Sequence, residues 1–150
     1  MTLAKDIIDR LLTEIEAIET LPDHNTYLYR RPKSLLPEDT PALVIWLRAK
    51  TPNPVTTHWF DGIYTIGISW HEESVEETET QEMDPDLSEN LMERIELIEQ
   101  AIRTLSITGW DLGNAWQLVP GDTTYVEPLR ESGLTEGYTL DVLVNVTESG

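Results

Sequence analysis

Two stripes of apolar residues at helical spacing constrain the fold of this chain more than any other feature. Both repeat every three or four residues, as one face of an α-helix does. The first predicts a helix from Thr2 to about Thr20, ended by Leu21-Pro22 because the residue before proline avoids the helical region. The second predicts a helix from Pro85 to about Gly109, with Asp84 as its N-cap. The stripes are Leu3, Ile7, Leu11, Ile15 and Ile18, and Leu87, Leu91, Ile95, Ile98, Ile102 and Leu105.

The segment between the two helices carries strand patterns. Ala42–Ala49 is short and almost wholly apolar, which predicts a strand buried on both faces or nearly so. Asp61-Gly62 suits a type I′ turn, because glycine accepts a positive φ, and it separates Val55–Phe60 from Ile63–Trp70. These two runs therefore predict a β-hairpin. The proline-containing segment from Asp23 to Thr40 is expected to be an extended loop.

The segment after the second helix also carries strand patterns. Ala115–Val119 and Thr123–Glu127 flank Pro120-Gly121-Asp122 and predict another hairpin. Gly137–Thr147 alternates apolar and polar residues and predicts a last strand. The order of elements predicts a single α+β domain over residues 1–150. Two helices pack on one face of a mostly antiparallel β-sheet of about five to six strands, with a protruding β-hairpin.

Acidic residues are concentrated in one part of the chain. From Glu72 to Glu99 there are twelve acids and one base, Arg94. Glu72–Glu82 has no apolar period and is expected to be a loop. The chain's net charge of −18 argues against a grip on the phosphate backbone of nucleic acid, which needs Lys and Arg.

Half of the chain's ten bases lie in a separate stretch, between Arg30 and Lys50. A surface of each sign on one molecule allows copies to bind head to tail, and about six copies would close a ring. The sequence therefore predicts an assembly subunit rather than an enzyme, with Trp59 buried on assembly. The predicted interface residues are Arg30, Arg31, Lys33, Arg48, Lys50, Trp59, Glu72, Glu73, Glu76, Glu77, Glu79 and Glu82.

Other chemistries find little support in the residue patterns. There is no cysteine, which excludes disulfides and thiolate metal sites. The histidines lack the spacing of a zinc site, and no serine has the surroundings of a nucleophile. No catalytic residue, metal or other cofactor is expected. No stretch reaches the roughly 18 apolar residues of a membrane span, and the amino terminus lacks the apolar core of a signal peptide.

The order of these segments resembles the tail terminator, or tail completion, proteins of long-tailed bacteriophages, the family of the lambda tail terminator. The segments that carry the resemblance are the amino-terminal helix, a proline-rich loop, PALVIWL, a hairpin ending GIYTIGISW, DLSENLMERIELIEQAIRTL and YTLDVLVNV. The resemblance implies a hexameric ring that caps the tail tube, meets a head-closure or neck protein and lets DNA pass through its lumen. It implies a protein made in the bacterial cytoplasm and located in the virion neck, with no catalytic residues.

Three other readings remain open. The chain could be another neck component of the same particle, such as a head-closure or adaptor protein. It could be a small acidic inhibitor of the immunity-protein or DNA-mimic type, which would bind a basic partner one to one. A hydrolase with two buried carboxylates is the third, although no site signature supports it.

Overall fold

The computed structural model describes residues 2–32, 35–53, 60–73, 85–126 and 135–148. They form two helices, five strands and one short 3₁₀ turn. The helices are α1, Leu3–Glu16, and α2, Pro85–Ile107; the 3₁₀ turn is Pro37–Asp39. The strands are β1, Asn25–Tyr29; β2, Ala42–Pro52; β3, Phe60–Glu73; β4, Ala115–Val126; and β5, Thr135–Glu148.

Both predicted helices are confirmed, and each buries most of the part of its stripe whose burial the structure describes. Helix α1 begins where the Thr2 hydroxyl accepts a hydrogen bond from the Lys5 backbone N–H at 3.2 Å, which satisfies an amide that has no partner inside the helix. It ends at Glu16, earlier than the expected Thr20. The buried residues of the two stripes are Ile7, Leu11 and Ile15 in α1, and Leu91, Ile95, Ile98, Ile102 and Leu105 in α2.

The sheet has five strands in the order β1-β2-β3-β5-β4. Every pair is antiparallel except β1 with β2, which is parallel. The predicted α+β class is therefore confirmed. The expected loop between Asp23 and Thr40 was wrong in part, because it contains β1 and the 3₁₀ turn. Its Thr-Tyr-Leu-Tyr run favours a strand, but it is short and flanked by prolines.

The predicted turn at Asp61-Gly62 was wrong. Both residues lie within β3 and continue its pairing, with Gly62 opposite Pro52 on one side and Val146 on the other. The backbone of β2 lies very close to Gly62, so an added Cβ at this position would collide with the Thr51 carbonyl oxygen. Strands β2 and β3 are nevertheless antiparallel neighbours, joined through residues 53–59. Most of the predicted arm Val55–Phe60 lies outside the described residues.

The second predicted hairpin was also wrong. Pro120-Gly121-Asp122 lies inside β4, where the pairing with β5 shifts register between Pro120 and Thr123. Such a bulge adds unpaired residues to one strand and bends it without reversing the chain. Proline is tolerated at this position because β4 is an edge strand, whose outer side needs no N–H donor for the sheet. The residues Pro120-Gly121-Asp122 are compatible with a bulge as well as with a turn, so this sequence pattern does not distinguish the two structures.

One face of the sheet packs against both helices and forms the core. The alternating residues predicted to share a face of β3 are all buried there: Tyr64, Ile66, Ile68 and Trp70. Their neighbours in β5 are buried as well: Leu140, Val142, Val144 and Val146. Strand β2 is buried from Ala42 to Ile45, as predicted, but Arg48–Pro52 is exposed.

The other face of the sheet is covered in part by the chain that follows β1. The Asn25 side-chain amide donates to the Asp39 carbonyl at 2.9 Å, and the Thr135 hydroxyl donates to the Leu35 carbonyl at 3.4 Å. Beneath this segment Ser69 and His71 of β3 are buried. The sheet is therefore covered by helices on one side and by an irregular segment on part of the other.

We expect Gly137→Ala to destabilise the fold, by about 1–3 kcal/mol, the usual range for overpacking. A Cβ at Gly137 would lie 2.6 Å from Nδ1 of His71 and would press on the Trp70 backbone, which cannot move without breaking the β3–β5 pairing. Urea unfolding measures the change. Gly113→Ala is the matched control, because nothing lies within 4 Å of a Cβ there. Equal stability of the two variants would contradict the expectation.

Candidate assembly surfaces

The predicted basic residues do not form one continuous patch. Arg30 and Arg31 follow β1 and are exposed, whereas Arg48 and Lys50 lie on the exposed end of β2. The pairing of β2 with β3 shifts register between Leu47 and Ala49. As a result, Lys50 lies with Tyr64 on the helix side of the sheet, 4.8 Å from the centroid of its ring.

Arg31 and Arg48 meet around Trp46 on the opposite side of the sheet. The Arg31 guanidinium lies 5.5 Å from the centroid of the Trp46 ring, a cation–π distance. The side chains of Trp46 and Arg48 both cover Gly67, at 2.8 Å from where its Cβ would be. Arg48 also forms an ion pair with Asp141 of β5. Trp46 therefore organises a cationic site whose one described acid is Asp141.

The predicted acidic residues are only partly within the described chain. Glu72 and Glu73 form the end of β3 rather than part of a loop, which corrects the expectation for these two residues. Six predicted interface residues lie outside the described chain: Lys33, Trp59, Glu76, Glu77, Glu79 and Glu82. The structure therefore brings Arg31 and Arg48 together and leaves the pairing of acidic with basic stretches untested.

Glu72 lies beside the core, which the sequence did not indicate. It follows Trp70 on the helix side of β3, and its partner across the β3–β5 pairing is Glu136, only 5% exposed. The Tyr125 hydroxyl donates a hydrogen bond to Glu136 at 2.6 Å. Two carboxylates therefore face each other at the end of the sheet, an arrangement that repulsion disfavours when both are ionised.

Burial raises the pKa of Glu72, and the Glu136 carboxylate adds to the rise. The Trp70 indole N–H and the Arg94 guanidinium oppose it. Neither contact reaches hydrogen-bond geometry: within the described chain Trp70 Nε1, Glu72 Oε2 and Arg94 Nε are buried without a partner. The protonated form of Glu72 is therefore favoured more in the folded chain than in the unfolded one.

His71 lies under the segment that follows β1, on the side of the sheet away from the helices. It is 6% exposed, and its Nε2 lies 2.9 Å from the Ser69 hydroxyl, which is also buried. Burial, together with the positive charge of Arg31, lowers the pKa of His71 to about 4. The pair resembles a base beside a nucleophile, but a serine hydroxyl that is this deeply buried cannot meet a substrate without movement of the covering segment.

The β4 edge of the sheet exposes apolar side chains that the sequence reasoning missed. Trp116 is 57% exposed and Ile107, at the end of α2, is 82% exposed; Val119 and Tyr125 of β4 are exposed as well. Helix α2 borders this edge, where the Thr123 hydroxyl hydrogen-bonds to the Glu99 carboxylate. Exposed aromatic residues beside an unpaired strand are typical of contact surfaces between proteins.

The β1 edge differs from the β4 edge in length, charge and backbone. Strand β1 has five residues and ends at Tyr29, whose φ of 69° is unusual for a residue other than glycine. This backbone turns the Tyr29 ring toward α1, where its hydroxyl bonds to Asp9 and the Lys5 ammonium lies 5.5 Å from the ring centroid. The strand thus ends abruptly, and Arg30 and Arg31 follow it in the chain.

Two features are absent from the described residues. No group of three or more histidine, aspartate or glutamate side chains is arranged to hold a metal ion within that part of the chain. Neither α1 nor α2, as described, is long and apolar enough to cross a lipid bilayer. The described features that stand out are the two unlike sheet edges and the buried groups around Glu72 and His71.

We expect the folded chain to lose stability as the pH falls below about 6.5, the pKa of an unfolded histidine, toward the folded pKa of about 4 for His71. The unfolded state binds the proton more readily, so the loss reaches about 3 kcal/mol once both forms are protonated. Urea unfolding between pH 7 and pH 4 measures it. A His71→Gln variant should show a flatter profile, and an unchanged slope would contradict the assignment.

Glu72→Gln should stabilise the chain at pH 7, because it removes a charge that burial disfavours. The sign follows from the raised pKa: the folded state prefers the protonated carboxyl, so the ionised form lowers stability above that pKa. The gain should shrink as the pH falls. Glu73→Gln, at the exposed next position, is the matched control and should change little. A less stable Glu72→Gln variant at pH 7 would refute this reading.

No protein-family model matches the chain, and no curated protein matches it.

Proposed function

We propose that this protein is the subunit of a homomeric ring, a hexamer by resemblance, that caps the end of a bacteriophage tail tube. The ring joins the tube to a head-closure or neck protein, and DNA passes through its lumen. The observation that carries the proposal is the difference between the two edges of the sheet. One is short and cationic, and the other is long, exposes aromatic residues and adjoins an acidic helix.

Unlike edges favour head-to-tail contact over a two-fold dimer. In a two-fold interface the same patch meets itself, so each charge meets a like charge unless the patch is self-complementary. Here residues 25–32 carry two bases and no acid, whereas Pro85–Ile107 carries five acids and two bases. Contact between the edges of successive copies brings opposite charges together, and a constant rotation at each contact closes a ring.

The charge of the chain also suits a passage for DNA. At a net charge of −18 a subunit repels phosphate and offers few cations to replace its counterions. A lumen formed by such subunits would let a duplex move without adhering. The same excess of charge keeps free subunits apart until complementary edges meet, so assembly should depend on salt concentration.

The element order supports the virion role. A helix, an apolar strand, a strand containing GIYTIGISW, a long helix and a final strand are present in the order that resembles the tail terminator proteins. The hairpin predicted at Asp61-Gly62 is not part of that order, because both residues lie within β3. The acidic-inhibitor alternative calls for a protein that acts as a monomer or dimer, which the experiment below distinguishes.

Trp116→Lys should weaken self-association and leave the fold intact. An exposed interface tryptophan often contributes 2 kcal/mol or more to binding, so the concentration at which the ring dissociates should rise about tenfold or more. Light scattering over a dilution series measures the mass of each species. Thr13→Lys, an exposed position on α1, is the control and should assemble as the native chain does.

Binding to the ends of isolated tail tubes tests the virion role separately from self-association. Native subunits mixed with isolated tail tubes should bind at one end of each tube in electron micrographs, and the Trp116→Lys variant should cap fewer ends. A native chain that stays monomeric at every concentration and leaves both tube ends bare would contradict the proposal. One-to-one binding to a basic partner by that monomer would favour the inhibitor alternative.

A further inference from the structure

We propose that residues 122–126, the last five of β4, add to the β1 edge of the next copy as an antiparallel strand, with Asp122 beside Arg30. The inference rests on the proposed ring, because it names the residues by which one copy holds its neighbour. Both segments lie within the described chain. They occupy opposite edges of one sheet, about 19 Å apart across four strand spacings, so the two segments of a single molecule cannot pair with each other.

The five residues of β1 share rows of the sheet with the last five residues of β4. One row joins Thr26 of β1 to Tyr125 of β4 through the three strands between them, and another joins Leu28 to Thr123. Strand β4 runs opposite to β1, because three of the four pairings between them are antiparallel. A second copy placed beside the first in the same orientation therefore presents β4 antiparallel to β1, with the same rows aligned.

The backbone groups that point outward from the two edges also match. The Asn25 N–H donates to the Pro41 carbonyl at 2.9 Å, so Asn25 points toward β2 and Thr26 points away from it. Carrying this alternation along the paired rows gives outward N–H and C=O groups at Thr123 and Tyr125 on the other edge. Such an edge is a template for another strand. Thr26 of one copy and Tyr125 of the next therefore face each other as a hydrogen-bonded pair.

The charges beside the two segments are complementary. Asp122 is the one acid of β4 and is exposed in its bulge. The row of Tyr29 reaches β5 at Asp141, which lies opposite this bulge, and the exposed Arg30 follows Tyr29. Within the described chain neither Asp122 nor Arg30 forms an ion pair. Alignment of the rows places the Arg30 guanidinium beside the Asp122 carboxylate of the next copy, where a charge-assisted hydrogen bond can form.

Arg31 is not the arginine assigned to Asp122, because it lies over the face of the sheet. Its guanidinium is 5.5 Å from the centroid of the Trp46 ring. Its positive charge also lowers the pKa of His71, which lies on the same face. Arg31 therefore serves as a matched control for Arg30, with the same charge at the neighbouring position.

A groove beside the β1 edge leaves room for the added strand. The exposed part of Tyr125, which is 39% exposed, lies in the row of Thr26 and so enters this groove from the next copy. The residues that line the groove are Thr26, Tyr27, Leu28, Arg30, Arg31 and Pro32.

Disulfide cross-linking tests the register, because the chain contains no cysteine. A variant with Thr26→Cys and Tyr125→Cys should form disulfides between copies on mild oxidation. The Cα atoms of a hydrogen-bonded pair are about 5.5 Å apart, which is within disulfide reach. Non-reducing electrophoresis should show a ladder of covalent oligomers, since every copy carries both positions.

The matched control for cross-linking is a variant with Thr26→Cys and Thr123→Cys. These positions lie in different rows, about 7–8 Å apart in the proposed register, where a disulfide requires movement of the backbone. The ladder should therefore form about tenfold more slowly or less than that. Equal rates for the two variants overturn the inference.

Charge reversal tests the ion pair separately and covers a cysteine variant that fails to fold. Arg30→Glu alone and Asp122→Arg alone should each raise the concentration at which the ring dissociates by about tenfold or more, because like charges then meet at every interface. An equimolar mixture of the two variants should assemble as the native chain does, since alternating copies restore opposite charges at each contact. Light scattering measures the mass.

Arg31→Glu is the control for the mixture and should not restore assembly of the Asp122→Arg variant, because Arg30 then still meets an arginine. A mixture of Arg30→Glu with Asp122→Arg that associates as weakly as either variant alone overturns the inference.

The mass of the native chain separates this inference from the proposed ring. If the native chain forms rings, but the two cysteine variants cross-link equally and the charge mixture restores nothing, the contact between β1 and β4 is refuted and the ring stands. If the native chain forms no ring, but the cysteine variants and the charge mixture behave as expected, the contact stands and the ring is refuted.

Discussion

The pairing of β3 with β5 is the constraint on which the rest of the structure depends. Fourteen residues of each strand pair without a register shift, from Phe60 opposite Glu148 to Glu73 opposite Thr135. Register determines which side chains share a face, so this pairing sets the apolar surface against which both helices pack. Irregularities occur in the flanking strands β2 and β4. The centre of the sheet is therefore regular, and the variation lies at its edges.

The two edges of the sheet are limited in different ways. Strand β1 is short and ends at the left-handed residue Tyr29. Strand β4 is long, but Pro120 and the bulge beside it interrupt the outer row of hydrogen-bonding groups. The early end of β1 and the interruption of β4 both oppose unlimited pairing of one sheet edge with another. They leave side chains, rather than long stretches of free backbone, to direct association, which suits a closed assembly with a fixed number of copies.

The sequence predicted periodic elements well and turns badly. The stripe from Leu91 to Leu105 specifies α2, because helical spacing over four turns has few alternative explanations. Glycine and proline at Gly62 and Pro120 suggested turns, but the same residues serve close packing and an edge bulge. The site depends on contacts that local patterns do not encode: Arg48 and Asp141 are 93 residues apart, and Glu72 is half-buried where β5 places Glu136 opposite it.

The central claim is that unlike edges of one sheet close identical chains into a ring. Electron-microscopy class averages of the purified native chain at low salt test it most directly, because they show symmetry as well as mass. The account predicts particles with a central hole, a single rotational symmetry and the same edge-to-edge contact at every interface. Isolated protomers, or dimers related by a two-fold axis with like edges in contact, would contradict it.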